Sequence, residues 1–352
     1  MTDTVLEMDA NRSKDGITIN DVASCILDKG GDVPLDLKQV FLLPAWYNEE
    51  KFRRGQKYFY DNYFSLFVSK LSGLLVVLAV PSILKVLVLT GQSSHPLSAF
   101  RRYLDTISHM LEWYDGDLTN PNSRASKSLL GVRGRHCHAT RRASKAGYGQ
   151  ISQRDMALTQ FGFMGFALLR SKELGLSGSD ADLEGFVHFW RTIGYLLGIK
   201  DKYNLCQGDV QTTRQTCQAM LDKVFVVGLK QNSTDFQMMS KALLEGMWAV
   251  IPFINTEAFF GFTKMLCGVD DVQFTNVYSK TLFNLQVFVH NAILNSFLAA
   301  IIRPILNFNM WLALFITQRF PYLAFLAFGR EITAPEQYTI KSSLATEQCT
   351  GT

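Results

Sequence analysis

Apolar residues recur at helical spacing through most of the chain, and this pattern predicts an all-α protein. The segment 180–199 is amphipathic over its whole length, while 156–169 is apolar on nearly every side, as a buried helix is. In the C-terminal half, 209–230, 233–254 and 256–267 also carry apolar residues at helical spacing. No segment shows the strict alternation of a half-buried strand. We therefore expect one multi-helix domain.

Two helix starts are marked by capping residues. Asn48 precedes Glu49 and Glu50, so an amide cap is followed by two acids that the helix dipole favours. Ser152 and Asp155 have the spacing of a capping box, with aspartate in place of glutamate. We expect a helix to begin at each place.

Two long apolar stretches, 64–89 and 273–328, are each long enough to cross a bilayer. Lys85 interrupts the first, and Arg303 followed by Pro304 interrupts the second. A charge at the bilayer centre costs about 2.5–3.5 kcal/mol, and a proline frees backbone groups that lipid cannot satisfy. The alternatives are membrane spans or core helices around an apolar ligand. We expect both stretches to belong to the soluble core, with no more than a peripheral apolar patch contacting a membrane at the substrate entrance.

Composition limits the folded domain and excludes some functions. Residues 1–32 and 331–352 are polar and poorly periodic, so we expect a flexible leader and a polar tail around one domain at 33–330. A net charge of +4 over 352 residues does not indicate nucleic-acid binding. The six cysteines include no pair with zinc-site spacing. The chain also has no phosphate-binding glycine loop and no metalloprotease or serine-hydrolase signature.

A basic stretch at 133–142 carries the candidate cofactor site. On a helix, Arg135, His138 and Arg142 stand at i, i+3 and i+7 and fall within about 60° of one another, while His136 points almost opposite to His138. A neutral imidazole between two guanidiniums suits haem, because imidazole ligates iron and arginines pair with propionates. A solvated basic face explains the same pattern, and the helix geometry alone leaves both interpretations open.

A second polar pair, Arg102 and Thr106, stands at i and i+4 on a segment that Pro96 can start as a helix. The two side chains therefore offer hydrogen-bond donors from one helix face. An exposed surface pair is the alternative interpretation.

Five short segments resemble the catalytic domain shared by bacterial latex-clearing rubber oxygenases and the fungal endoplasmic-reticulum oxygenases of mycophenolic acid biosynthesis. The resemblance runs from about residue 44 to 206, with a weaker helical continuation to about 328. None of the segments is specific by itself, so their order and spacing carry the resemblance. The segments are Trp46 with 54–59, then 102–106, 135–142, 151–155 and 190–199.

This resemblance implies an all-α fold with a globin-like core that holds haem b and uses O₂ as co-substrate. The histidine of the family's Arg-x-x-His-x-x-x-Arg motif is the proximal iron ligand and corresponds to His138, with Arg135 and Arg142 as the motif's arginines. The family's distal polar residues correspond to Arg102 and Thr106, which we expect to be catalytic. The implied enzyme is an intracellular, haem-dependent oxygenase, cytoplasmic or associated with the endoplasmic-reticulum membrane. It would oxidise or cleave a carbon–carbon double bond in an apolar, isoprenoid-like or lipid-like substrate.

Two departures from the family pattern leave turnover open. Asp105 stands where the rubber oxygenases have a lysine, and 64–92 contains no carboxylate where they use a glutamate as a proposed base. The alternatives are therefore a non-catalytic haem-binding sensor or carrier, and a cofactor-free, membrane-associated lipid-binding protein. A haem absorption spectrum separates the last from the other two.

Overall fold

Helices make up the folded chain in the computed structural model, which describes residues 19–37, 40–269 and 271–329. Within these ranges there is no strand, and an isolated antiparallel bridge joins Pro34 to Ser152. The all-α class expected from the periodicity is confirmed.

The helices follow one another with short connections. The N-terminal half contains Ile19–Ser24 (α1), Glu49–Asp61 (α2), Tyr63–Leu78 (α3), Pro81–Thr90 (α4), Pro96–Asp115 (α5), Arg124–Lys145 (α6), Gln153–Leu169 (α7) and Asp180–Leu196 (α8). The C-terminal half contains Val210–Met220 (α9), Val226–Gln231 (α10), Thr234–Met247 (α11), Thr256–Leu266 (α12), Val277–Phe288 (α13), Ala299–Arg319 (α14) and Tyr322–Phe328 (α15). The π-helical turns Cys25–Lys29, Leu221–Phe225 and Val289–Ile293 continue α1, α9 and α13, and a 3-10 turn covers Asp201–Tyr203.

Both helix starts expected from capping residues are confirmed. The Asn48 side chain caps α2 by accepting from the Lys51 N–H at 2.9 Å. Ser152 and Asp155 form the capping box of α7. Asp155 also accepts from the Ser82 hydroxyl at 2.6 Å, so the same carboxylate ties α7 to the first turn of α4.

Helices α3 and α7 approach each other so closely that glycine is required at their contact. A Cβ atom on Gly73 would lie 2.0 Å from the Gly162 carbonyl oxygen. The obstacle is backbone, so no side-chain rotation relieves it. Around this contact Leu66, Leu75 and Phe161 are completely buried. The two helices therefore form the rigid centre of the molecule.

The folded domain begins earlier than the sequence indicated. Helix α1 starts within the stretch expected to be a flexible leader, and Val22, Ala23 and Ile26 are buried in the core. The boundary at residue 32 is therefore wrong, because these apolar side chains dock the segment on the domain. The remainder of the leader and the expected tail at 331–352 lie outside the described residues.

The two apolar stretches have opposite environments. Helix α3 is buried along almost its whole length, so the expectation that 64–89 belongs to the core is confirmed for α3, while α4 buries only Ile83 and Leu84 among its described residues. The same expectation for 273–328 is wrong. Just 11% of an 18-residue window of α14 is buried, and by length and composition α14 is the one unbroken helix in the described chain that could cross a membrane.

Polar side chains attach α14 to the rest of the molecule. Arg303 donates to the Gly175 carbonyl at 2.6 Å, and Asn307 accepts from a backbone N–H at the start of α3 at 3.0 Å. Farther along, Gln318 donates to the Ser108 hydroxyl at 3.1 Å. These contacts extend over about 22 Å of helix. Helix α14 therefore lies flat on the domain, with its polar side inward and its apolar side outward.

Candidate functional site

A cavity of about 850 Å³ lies among α3 to α8. Its walls are mainly apolar, with a few convergent polar groups, as in small-molecule binding sites. The apolar wall includes Leu74, Val77, Leu78, Ile83, Val86, Leu87, Phe163 and Ile193. The ionisable residues of the wall are His95, Arg101, Arg102, Tyr103, Asp105, His109, Arg135, His136 and Asp155. We call this space the main cavity.

Helix α6 presents His136, not His138, to the main cavity. The wall residues from this helix are Val132, Arg135, His136 and Ala139, which form one continuous stripe. His138 is exposed and absent from the wall. Arg142 is also exposed and absent from it. Of the three residues expected to face one pocket together, Arg135 lies at the wall of the main cavity, and His138 and Arg142 lie outside it.

The rotation of α6 is set by a buried arginine. Arg133 donates to the carbonyls of Leu37 at 2.9 Å and Leu196 at 3.3 Å, which turns this side of the helix into the protein. At about 100° per residue, His136 then borders the cavity, and His138, about 160° farther round, reaches solvent. The helix face expected from the sequence runs from Arg135 towards His138, whereas the face that borders the cavity runs from Arg135 towards His136.

His136 is a partly buried, neutral histidine at the cavity wall. Its Nδ1 is buried and has no hydrogen-bond partner among the residues that the structure describes. Burial, together with the nearby charges of Arg102 and Arg135, lowers the pKa of His136 to about 4. The imidazole is therefore uncharged at neutral pH, the form in which histidine binds a metal.

Arg102 and Thr106 both line the main cavity, so their expected common face is confirmed. The Thr106 hydroxyl donates to the Arg102 carbonyl at 3.0 Å. The hydroxyl therefore offers the cavity an oxygen lone pair, whereas the Arg102 guanidinium offers donors and a positive charge. The two residues share a wall but have different chemistry.

Arg135 belongs to a network with two residues that the sequence did not single out as ligands. Its guanidinium forms an ion pair with Asp105 and lies 2.6 Å from Nε2 of His109. Because Arg135 can only donate, His109 Nε2 accepts, and its Nδ1–H donates to Ser128 at 2.7 Å. Burial and the charge of Arg135 lower the pKa of His109 to about 4, which agrees with this neutral tautomer.

A signal for the histidine that borders the cavity was present in the sequence. Leu129 and Val132 are apolar and stand seven and four residues before His136. An inner helix face that passes through both continues to His136 and misses His138. Arg133 also stands three residues before His136, so the Arg-x-x-His spacing occurs in two overlapping registers. The apolar residues of the preceding turn favour the register that pairs Arg133 with His136.

No group of three or more histidine, cysteine or acidic side chains within the described ranges is arranged to hold a metal ion.

Comparison with known proteins places the chain in a family. The family model described as "ER-bound oxygenase mpaB/B'/Rubber oxygenase, catalytic domain" matches residues 57–267, which is more than half of the chain. A solved structure, "Structure of Latex Clearing Protein LCP in the closed state", is similar with a TM-score of 0.54 and 15% sequence identity. The similarity covers 84% of this chain and 89% of that one and establishes the fold alone. No curated protein sequence matches the chain.

Proposed function

Because the chain belongs to the family of endoplasmic-reticulum-bound and rubber oxygenase catalytic domains, we propose that it is a haem-dependent oxygenase of an apolar, isoprenoid-like substrate. The observation that carries this proposal is His136, a neutral imidazole that borders an 850 Å³ apolar cavity with a buried, unpartnered Nδ1 within the described structure. In this proposal His136 would be the iron ligand, in place of His138, which the family resemblance indicated.

The residues that line the main cavity are suited to bind haem b. His136 would hold the iron, and Arg102, together with Arg135 if it leaves Asp105, would pair with the propionates. Haem, when bound, supplies the redox chemistry with O₂ as co-substrate. The protein's own contribution is a neutral ligand, positive charge on one side of the cavity and an apolar wall that excludes water.

The substrate class follows from the wall of the cavity and from the family. Leucine, valine and isoleucine side chains of α3 and α4 form an apolar surface that offers no hydrogen bonds to a ligand. Such a surface binds a hydrocarbon chain through displacement of water. The family description, rubber oxygenase, indicates a polyisoprene-like chain with oxidation or cleavage at a carbon–carbon double bond.

The purified protein provides the test. We expect a Soret band, one haem b per chain, and O₂ uptake with carbonyl products when a short unsaturated isoprenoid is added. A Soret band without any O₂ consumption would favour a haem sensor or carrier. Absence of haem from protein expressed with a haem supply would contradict the proposal.

We also propose that the outward side of α14 lies on a phospholipid surface. Ile301, Ile305, Phe308 and Phe315 are exposed at helical spacing, and we call this the outer apolar face. Further exposed apolar residues lie before and after α14 along the chain: Val277, Tyr278, Leu285, Phe288, Phe297, Leu298, Tyr322 and Leu326. Extensive exposed apolar surface marks an interaction site.

Charge and geometry favour an anionic bilayer contacted in its plane. No acidic residue occurs in 272–330, whereas Lys280 and Arg319 are exposed there. Basic residues beside an apolar helix face are typical of interfacial helices. The contacts of Arg303 and Gln318 hold α14 along the domain, which favours contact in the plane of the bilayer over a span.

Flotation with vesicles tests this contact. We expect the full chain to float with vesicles that contain phosphatidylserine, to float less with phosphatidylcholine alone, and to be released by carbonate at high pH. Retention after carbonate would show a spanning helix instead. No flotation together with a stable dimer in solution would show that a second copy covers the face.

A further inference from the structure

A second, much smaller cavity of about 50 Å³ lies next to the main cavity, and we call it the side cavity. The walls of both cavities include Leu74, Tyr103, Thr106 and Phe163, so these four side chains stand between the two spaces. The rest of the wall comes mainly from apolar residues of α3, α5, α11 and α12: Val68, Leu71, Ile107, Met110, Met247 and Phe259.

The surface of the side cavity offers essentially no nitrogen or oxygen atom to a ligand. Lys70 borders it, but Lys70 Nζ lies 4.8 Å from the ring centroid of Phe59 and 5.4 Å from that of Tyr114. Neither ring belongs to the wall, so the amine lies away from the cavity and the methylene stem borders it. The Thr106 hydroxyl is engaged with the Arg102 carbonyl at 3.0 Å. An occupant of the side cavity therefore finds no hydrogen-bond partner.

This chemistry favours a small apolar occupant over water. A buried water needs about two to four polar partners, and cavities without them stay dry and take up apolar atoms such as xenon. The side cavity exceeds the roughly 10–15 Å³ that one water-sized body requires, but it is far smaller than the main cavity of about 850 Å³. It can hold a gas molecule but not the hydrocarbon chain of a substrate.

The side cavity lies against the most rigid part of the fold, which keeps it open. Leu74 follows Gly73 in α3, and Phe163 follows Gly162 in α7. These two glycines form the backbone contact between the helices, so neither helix can move inward to fill the space. Phe163 is also held by the Trp190 ring, with the ring centroids 5.2 Å apart. A void survives where the surrounding structure cannot collapse.

We propose that the side cavity is a docking site for dioxygen on its way to the main cavity. This inference rests on the proposed function, which makes O₂ the co-substrate. An apolar substrate that fills the main cavity displaces the space through which O₂ would otherwise arrive, so a separate apolar chamber beside it keeps the gas close. O₂ is apolar and gives up no hydrogen bonds on leaving water for such a wall.

Both sides of the side cavity have side chains that can act as gates. On the inner side, rotation of Thr106 or Leu74 would connect it to the main cavity, and side-chain rotation is fast compared with enzyme turnover. On the outer side, Ile107 and Ile251 are partly exposed, so the wall reaches the protein surface there. Dioxygen would enter past these isoleucines and pass Thr106 into the main cavity.

Xenon, an apolar probe of gas sites, tests the docking site directly. Crystals of the full chain, as purified with its haem, are pressurised with xenon, and the xenon atoms are located by anomalous scattering. We expect a xenon atom between Leu71 and Met110, and we expect it to remain when farnesol is soaked into the main cavity. Val68→Phe, which places a ring in the side cavity, should abolish this xenon site. Val226→Phe is the matched control, because Val226 borders neither cavity.

Carbon monoxide kinetics of the ferrous, haem-loaded protein give a second measurement. A docking site on the route changes rates without changing the equilibrium at the haem. Val68→Phe should therefore slow association and dissociation of carbon monoxide severalfold by the same factor, with unchanged affinity, while Val226→Phe retains both rates. If Val68→Phe fails to fold by circular dichroism, Ile251→Phe takes its place, since the partly exposed Ile251 leaves room for relaxation.

Three results would overturn the proposal. They are absence of xenon from the side cavity of the unmodified protein, displacement of that xenon by farnesol, and carbon monoxide rates in the filled variant equal to those of Val226→Phe. Xenon binding needs neither haem nor turnover. A failure here is therefore distinct from the absence of a Soret band or of O₂ consumption, which would contradict the proposed function.

Discussion

Helices α3 and α14 are similar in sequence and opposite in structure. Both are apolar, and both contain one basic residue in their first half. Helix α3 crosses the centre of the domain with Lys70 buried, whereas α14 lies on the surface with Arg303 turned inward. Hydropathy therefore measures how strongly a helix avoids water but does not say whether protein or lipid will cover it.

The largest expected difference between the two helices is in stability. Leu75→Ala in α3 removes a completely buried side chain and should lower the free energy of unfolding by about 2–5 kcal/mol. Ile305→Ala in α14, where the side chain is 48% exposed, should change it by less than about 0.5 kcal/mol in the absence of membranes. Urea denaturation of both variants measures this. Equal losses would mean that α14 is covered by protein in solution.

The next largest effect concerns the membrane. The triple substitution Ile301→Ser, Ile305→Ser and Phe308→Ser removes three half-exposed apolar groups and should weaken vesicle binding by about 3 kcal/mol in total. Flotation with phosphatidylserine-containing vesicles gives the affinity, and the Soret band of the variant controls for folding. Undiminished flotation would show that another surface contacts lipid.

A smaller effect of opposite sign is expected inside α3. Lys70→Met replaces a buried amine that has no hydrogen-bond partner in the described structure by an apolar side chain of similar length. The ligand-free protein should become more stable by about 1–3 kcal/mol. Thermal unfolding followed by circular dichroism reports the change. A loss of stability would mean that the aromatic rings hold Lys70 as a charged ammonium.

The smallest effect is expected at the wall of the main cavity that carries Arg102 and Thr106. Arg102→Met removes a donor and a positive charge and should weaken azide binding to the haem-loaded protein by about tenfold. Thr106→Val should have a smaller effect, because its hydroxyl already donates to the Arg102 carbonyl. Azide titration followed by the Soret shift distinguishes them. An effect of Thr106→Val as large as that of Arg102→Met would mean that the hydroxyl turns towards the bound anion.

Periodicity was sufficient to predict the all-α class and the starts of α2 and α7, because these depend on local spacing and on capping side chains. Periodicity did not predict which histidine of α6 borders the cavity. The rotation of α6 depends on hydrogen bonds from Arg133 to the carbonyls of Leu37 and Leu196, which are far away in sequence. The environment of α14 also depends on distant partners, among them Ser108. Contacts of this range leave no regular pattern in a single sequence.

The most direct test of the account compares the two neighbouring histidines of α6. We predict that His136→Ala loses haem, or keeps it with a shifted Soret band that added imidazole restores, while His138→Ala retains the spectrum and haem content of the unmodified protein. Circular dichroism of both variants should show the same helix content. Loss of haem in His138→Ala with normal haem in His136→Ala would contradict the assignment and would restore the ligand that the motif in the sequence first indicated.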